Sequence, residues 1–274
     1  MLKTRYNNWK KFFKVGAQLL RPIRQHGTNS DSNVPVMGNG SPLTNTPGQT
    51  VNLTNVTAIA KGWGHSLALK GDGTVWTWGY NKSGQLGNGT NSDSNVPVQA
   101  LGLTGVTVIA GGHYHSLALK NDGTVWAWGH NESGQLGKGT NTNSNVPIQI
   151  LGLTGITAIV GGGYHSLALK SDGTAWAWGH NKYGPLGNGT NSDSNVPVPV
   201  SNLTGITAIA GGFYRSLALK NDGTIWAWGY NGPGQFGNGT NSKSNVPVRV
   251  SIPRSRKKLF KWDSHKEIFQ LWKQ

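Results

Sequence analysis

Four positions spaced by fifty residues carry side chains capable of chemistry: His65, His115, His165 and Arg215. Imidazoles near neutral pH serve as bases, proton carriers and metal ligands. A zinc site needs several ligands converging at short spacing, and no second ligand type recurs beside these histidines. Arg215 also breaks the set. The expected role is therefore structural, an imidazole bonding loop backbone. A second repeated group, Asp72, Asp122, Asp172 and Asp222, stands each time before Gly-Thr. Asp-Gly between two alternating apolar runs forms a tight hairpin, because Gly accepts the positive φ required there, so these carboxylates read as turn formers rather than catalytic acids.

No Gly-x-Ser-x-Gly elbow, Walker loop or His-Glu-x-x-His occurs. The "GQLGNGT" loops are Gly-rich but precede no helix, so they lack the helix N-terminus of a phosphate cradle. With no cysteine, disulfides, thiolate zinc sites and cysteine nucleophiles are excluded. The expectation is a protein with no catalytic residue, no cofactor and no metal.

The elements that would position these groups follow from the repeat. "GWGHSLALKGDGTVWTWGYNKSGQLGNGTNSDSNVPV" at 62 aligns without a gap to the stretches beginning at 112, 162 and 212, a period of fifty residues. Each unit runs from an "ITAIAGG"-like segment through "HSLALK", the turn "DGT" and "VWAWG" to a long Gly/Asn loop and "VPV". Alternating apolar runs bounded by turn residues predict four short strands per unit. The Trp pairs at 76/78, 126/128, 176/178 and 226/228 are spaced by two, so each pair shares one strand face and is expected to pack between neighbouring sheets.

Four-stranded units stacked about an axis make a β-propeller, an all-β fold. The segments "GGYHSLALKSDGT", "WAWGHN" and "GQLGNGT" resemble the repeat of the regulator of chromosome condensation family over about residues 51–250 and the fragment 27–36. The resemblance implies a closed ring of seven blades. This chain holds four full blades plus a fragment, so either four blades close tightly, or an open arc pairs its two apolar terminal faces with a partner or a second copy, or the ring is incomplete and blades are missing.

The flanks read differently. Residues 51–250 hold 11 Lys or Arg against 7 Asp or Glu, so most of the formal charge of +15 lies outside them. Residues 1–26 form a basic N-terminal leader, 27–50 a repeat fragment and linker, and 251–274 a basic C-terminal tail. Codons for Val15–His26 can be chosen so that reading one base later gives "WGHNSYGQLGN", the repeat text due before Gly27-Thr28. The leader is thus expected to be out-of-frame translation of an earlier blade. The tail, from about Lys258, reads as a short basic helix, a weak candidate for membrane or nucleic-acid contact. No signal peptide or membrane span is read, leaving a cytoplasmic location by default.

Function is expected to lie in positions that vary between otherwise repeated units. These are Trp63, His113, Tyr114, Tyr164, Phe213 and Tyr214 before the second strand, with Tyr80, His130, His180 and Tyr230 after the third. Such an aromatic set suits a protein interface, so the leading reading is a non-enzymatic scaffold for a protein partner. The resemblance supplies an alternative, guanine-nucleotide exchange on a small GTPase, although members with that role carry a wedge inserted in one blade. A decayed gene fragment without function is the third reading.

Overall fold

The computed structural model describes residues 53–251. The leader and its shifted-frame reading, the fragment and linker at 27–50, and the basic tail lie outside the described residues. Sixteen strands form four antiparallel sheets of four, each in simple sequential order. Blade 1 comprises β1 (Val56–Lys61), β2 (His65–Lys70), β3 (Val75–Gly79) and β4 (Ser94–Gln99). Blade 2 comprises β5 (Val106–Gly111), β6 (His115–Lys120), β7 (Val125–Gly129) and β8 (Ser144–Ile150). Blade 3 comprises β9 (Ile156–Gly161), β10 (His165–Lys170), β11 (Ala175–Gly179) and β12 (Ser194–Pro199). Blade 4 comprises β13 (Ile206–Gly211), β14 (Arg215–Lys220), β15 (Ile225–Gly229) and β16 (Ser244–Arg249).

The turn between the two central strands forms as its residues dictate. In blade 2, Gly123 has φ +80°, and Asp122 Oδ1 accepts from the Thr124 amide at 2.9 Å and from its hydroxyl at 2.6 Å. These bonds hold the Asp122 carboxylate below the usual range. The Thr124 hydroxyl also accepts from Trp126 Nε1 at 3.1 Å, and Lys120 Nζ lies 5.6 Å from that ring. Trp126 therefore leans along its own hairpin. Its neighbour in the pair, Trp128, is wholly buried.

The core sits between blades rather than within them. Between blades 2 and 3, Leu117, Leu119 and Val125 of one sheet pack with Ile156, Ile159, Ala168 and Trp178 of the next. Equivalent sets fill the other two junctions. Each indole donates back across its junction: Trp128, Trp178 and Trp228 Nε1 reach the carbonyls of Gln85, Gln135 and Pro185 at 2.9, 2.9 and 2.7 Å. The expectation that Trp packs between blades is met by these three and, at partial burial, by Trp126, Trp176 and Trp226, which pack against the same clusters, but not by Trp76 and Trp78 of blade 1.

The arc is not closed. Ile59 on blade 1 is 61% exposed, whereas its equivalent Ile109 is 8% exposed. On blade 4, Leu219 is 40% exposed against 4% for Leu119. The blade 1 and blade 4 sheets share no strand pairing. Among the described residues, four blades in sequence thus leave one uncovered face at each end.

Candidate functional site

An antiparallel sheet in sequential order puts the loop after its first strand and the loop after its third strand at the same edge. In each blade these two loops carry the variable aromatic residues, so four blades collect them on one side of the arc. Glycine permits this crowding: Gly129 ends β7 with φ +103°, and a Cβ there would fall 2.6 Å from the Tyr114 carbonyl. That carbonyl accepts the His130 amide at 2.9 Å, which fastens the two loops together.

The longer loop is organised by one buried amide. Asn131 Nδ2 donates to the Thr140 and Thr142 carbonyls at 2.7 and 2.9 Å, and Oδ1 accepts from the Leu136 amide at 2.8 Å. Asn81, Asn181 and Asn231 make the same kind of clasp in the other blades. Backbone bonds near the axis then join the shorter loops in series. The Trp63 amide donates to the His113 carbonyl at 3.2 Å, the His113 amide to Gly162 O at 3.2 Å, and the Gly163 amide to Gly212 O at 3.1 Å.

On this frame the aromatic rings form one connected surface. Trp63 meets His113 and Tyr114 with centroids 5.0 and 5.5 Å apart, and His113 meets Phe213 at 4.9 Å. Tyr164 contacts Phe213, Tyr214 and His180. Tyr80 joins through Tyr114 at 5.6 Å, and His130 through Tyr114 and Tyr164. Tyr230 joins through Tyr183 at 5.3 Å. All ten residues singled out from the sequence therefore lie in one network. Tyr183 was missed, although it too varies, standing where the other units have Ser83, Ser133 and Pro233.

The surface is apolar at its centre and polar at its tips. Trp63 is 62% exposed, and with His113, Phe213 and Lys61 it borders a shallow depression floored by glycine backbone. His113 Nδ1 lies 3.2 Å from the Tyr164 hydroxyl. Burial, then the neighbouring His130, lowers the His113 pKa, so its ring is neutral at physiological pH. Burial raises the Tyr114 and Tyr214 phenols, which stay protonated donors.

The repeated histidines lie deeper and do something else. His65, His115 and His165 Nε2 sit 2.9, 3.0 and 2.9 Å from the Oγ of Ser116, Ser166 and Ser216 on the following blade. Each serine donates its own proton to the Gln85, Gln135 or Pro185 carbonyl at 2.9, 2.9 and 2.8 Å. The hydroxyl proton is thus committed, so Nε2 must carry hydrogen and donate. Nδ1 of all three rings is buried without a partner, consistent with a neutral imidazole. Burial drives the pKa of His65 to about 4 and those of His115 and His165 to about 3, with nearby imidazoles adding to the effect. The expected backbone partner is corrected to a serine hydroxyl, which relays the bond to the loop carbonyl. Among the described residues, no three His, Cys, Asp or Glu side chains converge.

A family model described as an RCC1-like domain matches residues 23–265. The chain belongs to the RCC1-like domain family. A segment of 38 residues, 14% of this chain and 9% of the relative, is 47% identical to the ultraviolet-B receptor UVR8 of Arabidopsis thaliana. The RCC1-like arc also superposes on human WBSCR16 with TM-score 0.68 and 28% identity, covering 77% of this chain and 56% of that one. With yeast RCC1 (Prp20), solved bound to Kap60, the TM-score is 0.71 at 24% identity, covering 80% of this chain and 54% of that one. This last likeness shows the fold alone. The chain spans little more than half the length of these solved relatives.

Proposed function

We propose that the chain is a non-enzymatic protein-binding module that grips its partner with the aromatic edge of the arc. The observation that carries this reading is the unbroken ring-to-ring network across all four blades, with Trp63, Phe213 and Tyr230 among its exposed members. Large rings with few rotatable bonds lose little entropy on binding, and Trp and Tyr dominate the energetics of protein interfaces. The neutral His113 and the protonated tyrosines supply hydrogen bonds without a charge to desolvate. The rings sit on loops fastened to one another by backbone bonds and clasped by buried Asn side chains, which suits a preformed surface.

Affinity capture from the source cell extract tests this with three baits: the natural chain, a Trp63→Ala/His113→Ala/Phe213→Ala variant, and an Asp122→Asn control on the opposite edge. The expected partner is retained by the first and third and lost by the second. Identical captures by all three would sink the reading.

Guanine-nucleotide exchange is the second reading, favoured by fold likeness to Prp20p of Saccharomyces cerevisiae, a protein with binding properties to Gsp1p and histones. The four described blades keep their fifty-residue spacing with no insertion, which supports the scaffold instead. Release of a fluorescent nucleotide from a small GTPase distinguishes the two. A scaffold leaves the rate unchanged.

A further inference from the structure

The two uncovered faces would be expected to seat on each other, because every internal junction is built from the same two faces. The outgoing face of blade 4 retains Leu217, Leu219, Ile225 and the Gln235 carbonyl. The incoming face of blade 1 retains Val56, Ile59, Ser66 and the half-buried Trp78. At internal junctions, that loop carbonyl accepts from a serine and an indole in those positions. Two side chains depart from the pattern, one on each terminal face.

The innermost strand ends in Gly111, Gly161 and Gly211 on blades 2, 3 and 4, but in Lys61 on blade 1. Internal junctions demand glycine there for lack of room. A Cβ on Gly111 would lie 2.5 Å from the Lys61 carbonyl oxygen, and one on Gly161 would lie 2.5 Å from the Gly112 nitrogen. On Gly211 it would lie 3.0 Å from Val160 Cγ1. None of the three has positive φ, so space and not backbone conformation is decisive. Lys61 carries the forbidden Cβ and a long charged stem, and it is exposed. Seated on blade 4 with the geometry of the first two internal junctions, blade 1 would drive the Lys61 Cβ into backbone.

On the outgoing face, Arg215 replaces the junction histidine. Its Cγ leans to within 2.8 Å of where a Cβ on Gly212 would stand. In the first junction the equivalent pair meets directly, with a Cβ on Gly62 falling 2.6 Å from the Gly112 carbonyl. Seating blade 1 on blade 4 would therefore press Lys61 and Arg215 toward the same pair of glycines. The described acids all lie in the DGT turns or the long loops, away from this contact.

We propose that Lys61 and Arg215 are gatekeepers that keep blade 4 of one copy from seating on blade 1 of a second copy. A head-to-tail contact between copies either closes a ring or runs on as a filament, and charged side chains at sheet edges block comparable pairings. Lys61 acts by volume and by charge, Arg215 by charge.

Sedimentation velocity of the full chain over a wide concentration range tests the proposal. The natural chain is expected to sediment as a monomer. The Lys61→Gly/Arg215→His variant is expected to shift to dimers and larger assemblies, and adding Leu219→Lys to it should restore the monomer. Circular dichroism reports whether each variant folds, and Lys61→Gly alone, with a smaller shift in the same direction, carries the test if the double variant does not. The proposal is overturned if the folded variants stay monomeric throughout, or if the natural chain associates and cross-links position 59 of one copy to position 219 of another.

Discussion

His115 Nε2 lies 3.0 Å from Ser166 Oγ across the boundary between blades 2 and 3, and Ser166 in turn donates to the Gln135 carbonyl at 2.9 Å. The same carbonyl accepts from Trp178 Nε1 at 2.9 Å. One backbone oxygen thus anchors a serine and an indole of the next sheet. Because both donors and the imidazole are buried, each must keep its partner to avoid the cost of an unpaired group.

Ser166→Ala should therefore cost about 1–3 kcal/mol, since it strands the His115 Nε2–H in the junction. Ser66→Ala is the internal control, because the Ser66 hydroxyl faces the open end of the arc and makes no hydrogen bond among the described residues, while its backbone stays paired with Lys61 and Trp78. Its cost is expected to stay within about 0.5 kcal/mol. Urea unfolding of the two variants checks this, and equal losses would refute the relay.

The junction histidines should make the fold acid-sensitive. Their folded pKa values, about 4 for His65 and about 3 for His115 and His165, lie below the ordinary 6.5. The unfolded chain then binds more protons, so stability is full above about pH 6.5 and falls as pH drops toward 3–4. The slope in that window is about 1.4 kcal/mol per pH unit for each histidine. Urea midpoints measured from pH 7 to pH 4 should decline, and His115→Gln should flatten the slope by about one histidine's share. A profile unchanged by the substitution would contradict this account.

The indoles should sort by position. Trp178→Ala removes a wholly buried ring and is expected to cost about 3–5 kcal/mol. Trp78→Ala, at the equivalent place on the uncovered face, should cost clearly less. Among the described tryptophans Trp63 is the most exposed, so Trp63→Phe is expected to lower the iodide-quenchable fluorescence measurably, where Trp178→Phe would not, while leaving the melting temperature nearly unchanged.

Asn131→Ala should loosen one loop of the aromatic edge. The substitution leaves the buried Leu136 amide and the Thr140 and Thr142 carbonyls without their partner, a loss of about 3 kcal/mol or more. Amide hydrogen exchange should accelerate mainly over residues 131–143. Uniform acceleration across all four blades would show instead that the clasp supports the whole arc.

Much of this architecture is legible in the letters because repetition multiplies weak local signals. Asp122-Gly123 alone marks a turn, and its recurrence every fifty residues marks a blade. The aromatic candidates share an edge because antiparallel order dictates it, and their variation between units exposes them. The serine relay was not legible, since Ser116 looks like any strand residue until the next sheet brings His65 beside it at a sequence separation of 51. Lys61 was equally mute. A lysine among glycines looks like ordinary surface variation until the space available to a Cβ is measured. Tyr183 needed no structure, only the same comparison between units carried three residues further along the loop that holds His180.

The junction parts are divided so that each internal blade carries a plug on one side and the matching socket on the other. Tandem duplication of one whole period inside the array therefore brings both halves of a new seam with it. The array can grow or shrink in whole blades without inventing a contact, provided the changes fall between Lys61 and Arg215.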